Sequence, residues 1–71
     1  MIRRFEFIGG TFAKFWEVST AGNDVTVRYG RLGSTGHGQD KSFASPQAAQ
    51  NHAEKLVGEK LGKGYREVAV C

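Results

Sequence analysis

The sequence predicts an α+β fold: a twisted antiparallel β-sheet of about four strands plus a short C-terminal strand, with one α-helix packed on one face. Three observations predict it. Apolar and polar residues alternate with period 2 through most of the chain up to Ala44. Turn chemistry interrupts the alternation at Gly9-Gly10, at Gly22-Asn23 and at Gly33-Ser34-Thr35-Gly36. One stretch with helical spacing then follows Ser45-Pro46.

The first strand covers residues 2 to 8, with Arg3, Phe5 and Phe7 on one face and Ile2, Arg4, Glu6 and Ile8 on the other. Gly9-Gly10 reads as a hairpin turn. The second strand, residues 12 to 19, sets Phe12, Lys14, Trp16 and Val18 against Ala13, Phe15, Glu17 and Ser19. Gly22-Asn23 reads as a second hairpin, since both residues tolerate positive φ. The third strand alternates Val25, Val27 and Tyr29 with Thr26 and Arg28 and runs into Gly30-Arg31-Leu32-Gly33.

A two-residue turn at Gly22-Asn23 fixes the pairing of the second and third strands. Val18 then faces Val27, Trp16 faces Tyr29 and Lys14 faces Arg31. On the opposite face Glu17 meets Arg28 and Ser19 meets Thr26. Aromatic and β-branched pairs mark the first face as the core face. Its far end sets two cations side by side, an arrangement that repels unless an anion sits between them.

Residues 38 to 44 form a weaker fourth strand with little apolar content. Asp40 and Lys41 suit an edge, where charge discourages further pairing. Ser45 is the expected N-cap of the helix and Pro46 its first residue. Ala49, His52, Ala53, Leu56, Val57, Lys60 and Leu61 recur at helical spacing as one stripe. The Gly at 62 or at 64 closes the helix. Residues 65 to 70 alternate again, as a short last strand.

A chain of 71 residues is expected to be one domain over residues 1–71. A domain of this size buries only about 60% of the surface its unfolded chain exposes, which leaves no room for a deep substrate cavity. The net charge of +3 and a pI near 9.4 permit nucleic-acid binding without requiring it. The single cysteine, Cys71, excludes an internal disulfide and Cys-based metal sites, and suits the cytoplasm. No apolar run approaches the ~20 residues of a membrane span, and the N-terminal segment lacks a signal-peptide core.

Catalysis, metals and cofactors find no support in the sequence. The glycines at 30, 33, 36 and 38 match neither a G-x-G-x-x-G nor a G-x-x-x-x-G-K-[ST] loop. His37 and His52 fit no ligand spacing. His52 is expected to pack against the sheet, and His37 to be solvated in its loop. No nucleophile elbow occurs. The expectation is therefore no enzyme, no cofactor, no metal, no small-molecule substrate and no membrane partner.

Tyr29 and Arg31, two apart on one strand face, combine a π-surface with a fixed positive charge near the sheet rim. Lys14, Arg28 and Lys41 lie on or near the same strand and are the best further phosphate candidates. Lys55, Lys60 and Lys63 have structural reasons to exist, through i,i+4 pairing and the helix C-terminus. From the residues alone, Tyr29 as a half-buried strand aromatic and Arg31 as a solvated rim charge are favoured roughly 2:1 over a binding role, because strand aromatics usually pack on a core.

The stretch Tyr29-Gly30-Arg31-Leu32-Gly33 resembles the Trp-Gly-Arg-aliphatic-Gly signature of the WGR domain. The resemblance covers nearly the whole chain: Lys14-Phe15-Trp16-Glu17 before the signature, Lys41-Ser42-Phe43 after it, then an Ala- and Lys-rich helix and Gly64-Tyr65. The departure is Tyr29 at the position of the Trp, a smaller ring with a hydroxyl. That family includes modules of DNA-damage-dependent poly(ADP-ribose) polymerases and short bacterial proteins. In the polymerases the signature Trp packs on the sugar at a DNA terminus, and the signature Arg contacts neighbouring domains. The resemblance thus implies a WGR-like fold and a non-catalytic module for nucleic acid, at DNA ends or backbone and without sequence specificity. Tyr29, Arg31, Lys14, Arg28 and Lys41 are its expected contacts. The alternative, favoured by the modest charge and by Tyr29 in place of the Trp, is a protein partner docked through the Tyr29-Gly30-Arg31 strand.

Overall fold

A computed structural model describes residues 2–68. The elements in chain order are β1 (Ile2–Gly9), β2 (Phe12–Ala21), β3 (Asp24–Arg31), β4 (His37–Ser42), α1 (Pro46–Gly62) and β5 (Arg66–Val68). The five strands form one antiparallel sheet in the order β4-β3-β2-β1-β5. Helix α1 carries the chain from one edge of the sheet to the other.

The hairpins set the register. Gly22 takes φ 59, and Ala21 pairs with Asp24 around the turn. Asn23 keeps a negative φ, so the positive dihedral sits on the first turn residue only, where a type II′ turn wants glycine. Val18 accordingly faces Val27, Trp16 faces Tyr29 and Lys14 faces Arg31, as the turn chemistry predicts. The first hairpin turns one residue later than expected. Gly9 remains in β1 opposite Phe12, and the turn is Gly10-Thr11 with Gly10 at φ 57. β4 begins at His37 and ends at Ser42, while Phe43 donates its N–H to the Asn23 carbonyl at 2.8 Å. Of the final strand, residues 66–68 are paired to β1; its expected continuation to residue 70 lies outside the described residues.

Phe5, Trp16, Val18 and Val25 meet Ala49, Ala53 and Val57 in the core. The Phe5 and Trp16 rings are 5.6 Å apart and tilted by 54°. The two alanines let the helix approach the sheet closely. Ser45 caps α1, its Oγ accepting from the Ala48 N–H at 3.1 Å, with Pro46 next to it. Helical residues four apart advance about 40° around the axis. The line through Ala49, Ala53 and Val57 has therefore rotated off the sheet by Leu61, which is 50% exposed despite its place in the predicted stripe.

The other face of the sheet has a small core of its own. Phe15 points away from α1, yet is only 2% exposed. Two guanidiniums cover its ring, Arg4 at 4.6 Å and Arg28 at 5.7 Å from the centroid. Glu17 holds both, accepting from Arg4 at 2.7 Å and from Arg28 at 2.8 Å. The loop after β3 closes the rest. Gly36 sits at φ 73, where an added Cβ would lie 2.5 Å from the Tyr29 carbonyl oxygen and 2.6 Å from the Phe15 ring. A Cβ on Gly30 would lie 2.8 Å from the Gly36 Cα. Two glycines thus allow a loop to lie flat on a strand and seal an aromatic ring.

Gly36→Ala must displace that loop, and its expected cost is about 2–4 kcal/mol from positive φ and overpacking together. Gly33→Ala, at φ 89 with open space around the added methyl, bears only the dihedral cost of about 1 kcal/mol. Urea unfolding of the two variants checks the difference; equal losses would show that the loop does not press on Phe15.

Candidate functional site

The β2–β3 register puts Lys14 and Arg31 directly opposite one another on the helix-bearing face. Both are exposed, and among the described residues no carboxylate pairs with either. The Arg31 backbone is nevertheless fixed. Its carbonyl accepts from the Ser34 N–H at 3.0 Å and from the Ser34 hydroxyl at 2.7 Å, and Leu32 donates to the Ala13 carbonyl at 3.0 Å. The same loop that seals Phe15 therefore anchors the rim from which Arg31 projects.

Two residues further along, on the same face, Tyr29 lies opposite Trp16. Trp16 is buried, but Tyr29 is 40% exposed. Its other cross-strand neighbour is His37, the two rings 6.2 Å apart. His37 is thus on a strand edge beside Tyr29 instead of free in the loop. His52 packs on Phe43, ring centroids 4.8 Å apart.

Between α1 and the β2–β3–β4 part of the sheet runs an open groove of about 1360 Å³. Its walls include Lys14, Trp16, Tyr29, Arg31, Lys41 and Lys60. Aromatic faces hold the cations at its edge. Lys14 Nζ stands 5.4 Å from the Phe12 ring, and Lys41 Nζ 5.5 Å from the Phe43 ring. Lys60 Nζ lies between two rings, 5.6 Å from Trp16 and 5.3 Å from Tyr65.

Of the five contacts expected from the sequence, the structure brings four to this groove: Tyr29, Arg31, Lys14 and Lys41. Arg28 is on the opposite face, bound to Glu17 and lying over Phe15. Lys60 joins the groove although its place near the helix end explained it structurally. The signal was its position within the apolar stripe, which turns a lysine stem toward the sheet. Burial against the two rings pushes the Lys60 ammonium below the ordinary lysine range, and Lys63 and Lys14 add like-charge repulsion that Glu59 only partly offsets. Among the described residues no group of three His, Cys, Asp or Glu could hold a metal ion, and no helix is long and apolar enough to cross a membrane.

The sequence profile of a family described as the WGR domain matches residues 1–70. The chain is 36% identical over 67 residues to the uncharacterized protein YfeS, and 37% identical over 68 residues to the protein YehF, both of Escherichia coli K12. Those matches cover 94% and 96% of this chain but 28% and 25% of the relatives. A crystal structure from Bacteroides fragilis superposes with a TM-score of 0.94 at 43% identity, over 97% of this chain and 20% of that one. The chain thus spans only a quarter or so of the length of the curated relatives it matches.

Because the folded state disfavours the Lys60 charge, the unfolded chain binds the proton more tightly. At neutral pH the amine is charged in both states and its repulsion with Lys14 and Lys63 is fully present. Lys60→Met keeps a stem over Trp16 and removes that repulsion, so thermal unfolding at pH 7 should show a gain, about half a kcal/mol after solvent screening. The gain should shrink as pH rises from the lowered pKa of the folded state toward the ordinary lysine value. A loss of stability at pH 7 would mean that the cation–π contacts outweigh the repulsion.

Proposed function

The chain belongs to the WGR domain family, and from that premise we propose that it binds nucleic acid, at DNA ends or along the backbone and without sequence specificity. WGR domains are non-catalytic modules, and the role proposed is that of a binding surface. The observation that carries this reading is the Lys14–Arg31 couple, paired with no carboxylate among the described residues, beside an exposed Tyr29. Two cations held opposite one another cost repulsion that a phosphate between them would relieve. An adjacent ring supplies a face for a base or sugar, and every base offers a π-face, so the contact carries no sequence preference. Lys41 extends the charge along β3's neighbour. Tyr in place of Trp keeps the stacking mode with less area.

A second reading has its own observation. The relatives continue far beyond the matched segment, and among the described residues no carboxylate pairs with Arg31. Docking of another protein segment on the Tyr29-Gly30-Arg31 strand would use the same guanidinium as an interfacial anchor.

Fluorescence anisotropy with short labelled duplexes, blunt and 5′-phosphorylated, separates the two. The expected result is saturable binding that weakens steeply with salt. Arg31→Ala should reduce the salt slope by about 1, and Tyr29→Ala should cost about 1–3 kcal/mol. Arg28→Ala, on the other face, should leave the salt slope unchanged. Absence of saturable binding at low salt would reject the nucleic-acid reading in favour of the docking one.

A further inference from the structure

The sheet floor of the groove carries its cations at two separate places. At one, Lys14 and Arg31 face each other across β2 and β3, with the exposed Tyr29 beside them. At the other, Lys41 pairs with Val25 of β3 and lies 5.5 Å from the Phe43 ring, on which His52 packs at 4.8 Å. Among the described residues no carboxylate pairs with Lys14, Arg31 or Lys41. The floor between the two places is uncharged, with Val27 opposite Gln39 as its middle row. Arg31 and Val25 stand at opposite ends of one strand face of β3, which separates the two places by about 20 Å at the rise of an antiparallel strand. Two carboxylates also border the groove. Asp40 takes the register of the opposite sheet face through Thr26, and Glu59 on the helix wall partly offsets Lys60, so cations remain in excess.

Each place sets a cation beside a ring, and the two are too far apart for one duplex end. A duplex exposes the faces of its bases only at its terminus, so it can bring a base to Tyr29 but none to a second ring about 20 Å away. A single strand has no such restriction. Its unstacked bases can turn to rings along the path while its phosphates reach cations at both places. We propose that the groove holds the single-stranded extension of a nucleic-acid end, laid along β3 from the Lys14–Arg31 couple to Lys41. The proposal rests on the nucleic-acid reading and narrows it to an end with an unpaired extension. A stacked strand rises about 3.4 Å per nucleotide, so about six nucleotides cover the distance, and fewer suffice when the bases unstack. Tyr29 takes a base at the first place, and the half-buried His52, which lines the groove, takes one at the second.

The test is fluorescence anisotropy with one labelled duplex carrying extensions of increasing length, from blunt to about eight nucleotides. Affinity should rise with length and level off by about six nucleotides, about tenfold above the blunt duplex, from one further stacked base and one further phosphate contact. On the long extension Lys41→Ala, with the fold checked by circular dichroism, should remove most of that gain and lower the salt slope by about 0.7, the single-strand value for one phosphate. Equal affinity for blunt and extended duplexes would overturn the inference and leave binding at DNA ends standing. A gain that survives Lys41→Ala in full would overturn the path to Lys41. Failure of every duplex to bind at low salt would overturn both this inference and the nucleic-acid reading.

Discussion

Gly22, at φ 59, sets the phase of the two central strands, and most of the molecule depends on that phase. With Ala21 closing on Asp24, Trp16 and Val18 of β2 fall on the helix side together with Val25, Val27 and Tyr29 of β3, while Phe15 takes the other face with the small Ala13 and Ala21. Slippage by one residue would turn Trp16 and Val18 toward solvent and Glu17 into the core. The same phase decides the groove. It sets buried Trp16 against exposed Tyr29, and then Lys14 against Arg31, so core gives way to cationic rim within a few residues along one sheet face.

The Tyr29-Gly30-Arg31 stretch does three different things. Tyr29 offers a ring to solvent. Gly30 makes room for Gly36, whose loop lies on Phe15. Arg31 projects from a backbone that the same loop ties down through Ser34. The glycine is therefore a steric requirement of the other face of the sheet, while its two neighbours serve the groove face. The Arg4–Glu17–Arg28 network belongs with the glycine: the part-buried Arg4 and Glu17 and the exposed Arg28 satisfy one another, and the two guanidiniums cover an aromatic ring.

Much of this was legible in the sequence, because local chemistry and long-range pairing agree. Gly22-Asn23 with its flanking alternation determines the β2–β3 register, and Ser45-Pro46 determines where α1 starts. The extra residue in β1 was not legible, since Gly9 and Gly10 are equivalent as turn residues until Phe12 pairs. Burial of Phe15 was hidden too. Its neighbours in alternation, Ala13, Glu17 and Ser19, read as a polar face, and its cover comes from a loop and two arginines distant in sequence. Arg28 shows the opposite case. Its pairing with Glu17 followed from the register, and that pairing puts it on the face away from Tyr29, however near the signature it stands. Lys60 was visible as a lysine within an apolar stripe, but spacing alone does not say that the stripe ends in a groove.

The central claim is that one face of the sheet, the groove face, is where a phosphate-bearing ligand meets this domain. Amide chemical-shift mapping with ¹⁵N-labelled protein and a short 5′-phosphorylated duplex at low salt tests it most directly. The account predicts shifts that saturate together at Lys14, Tyr29, Arg31 and Lys41, with Arg4, Glu17 and Thr26 on the other face unmoved. Saturating shifts centred on the Arg4–Glu17–Arg28 face, or a spectrum unchanged at excess duplex, would contradict it.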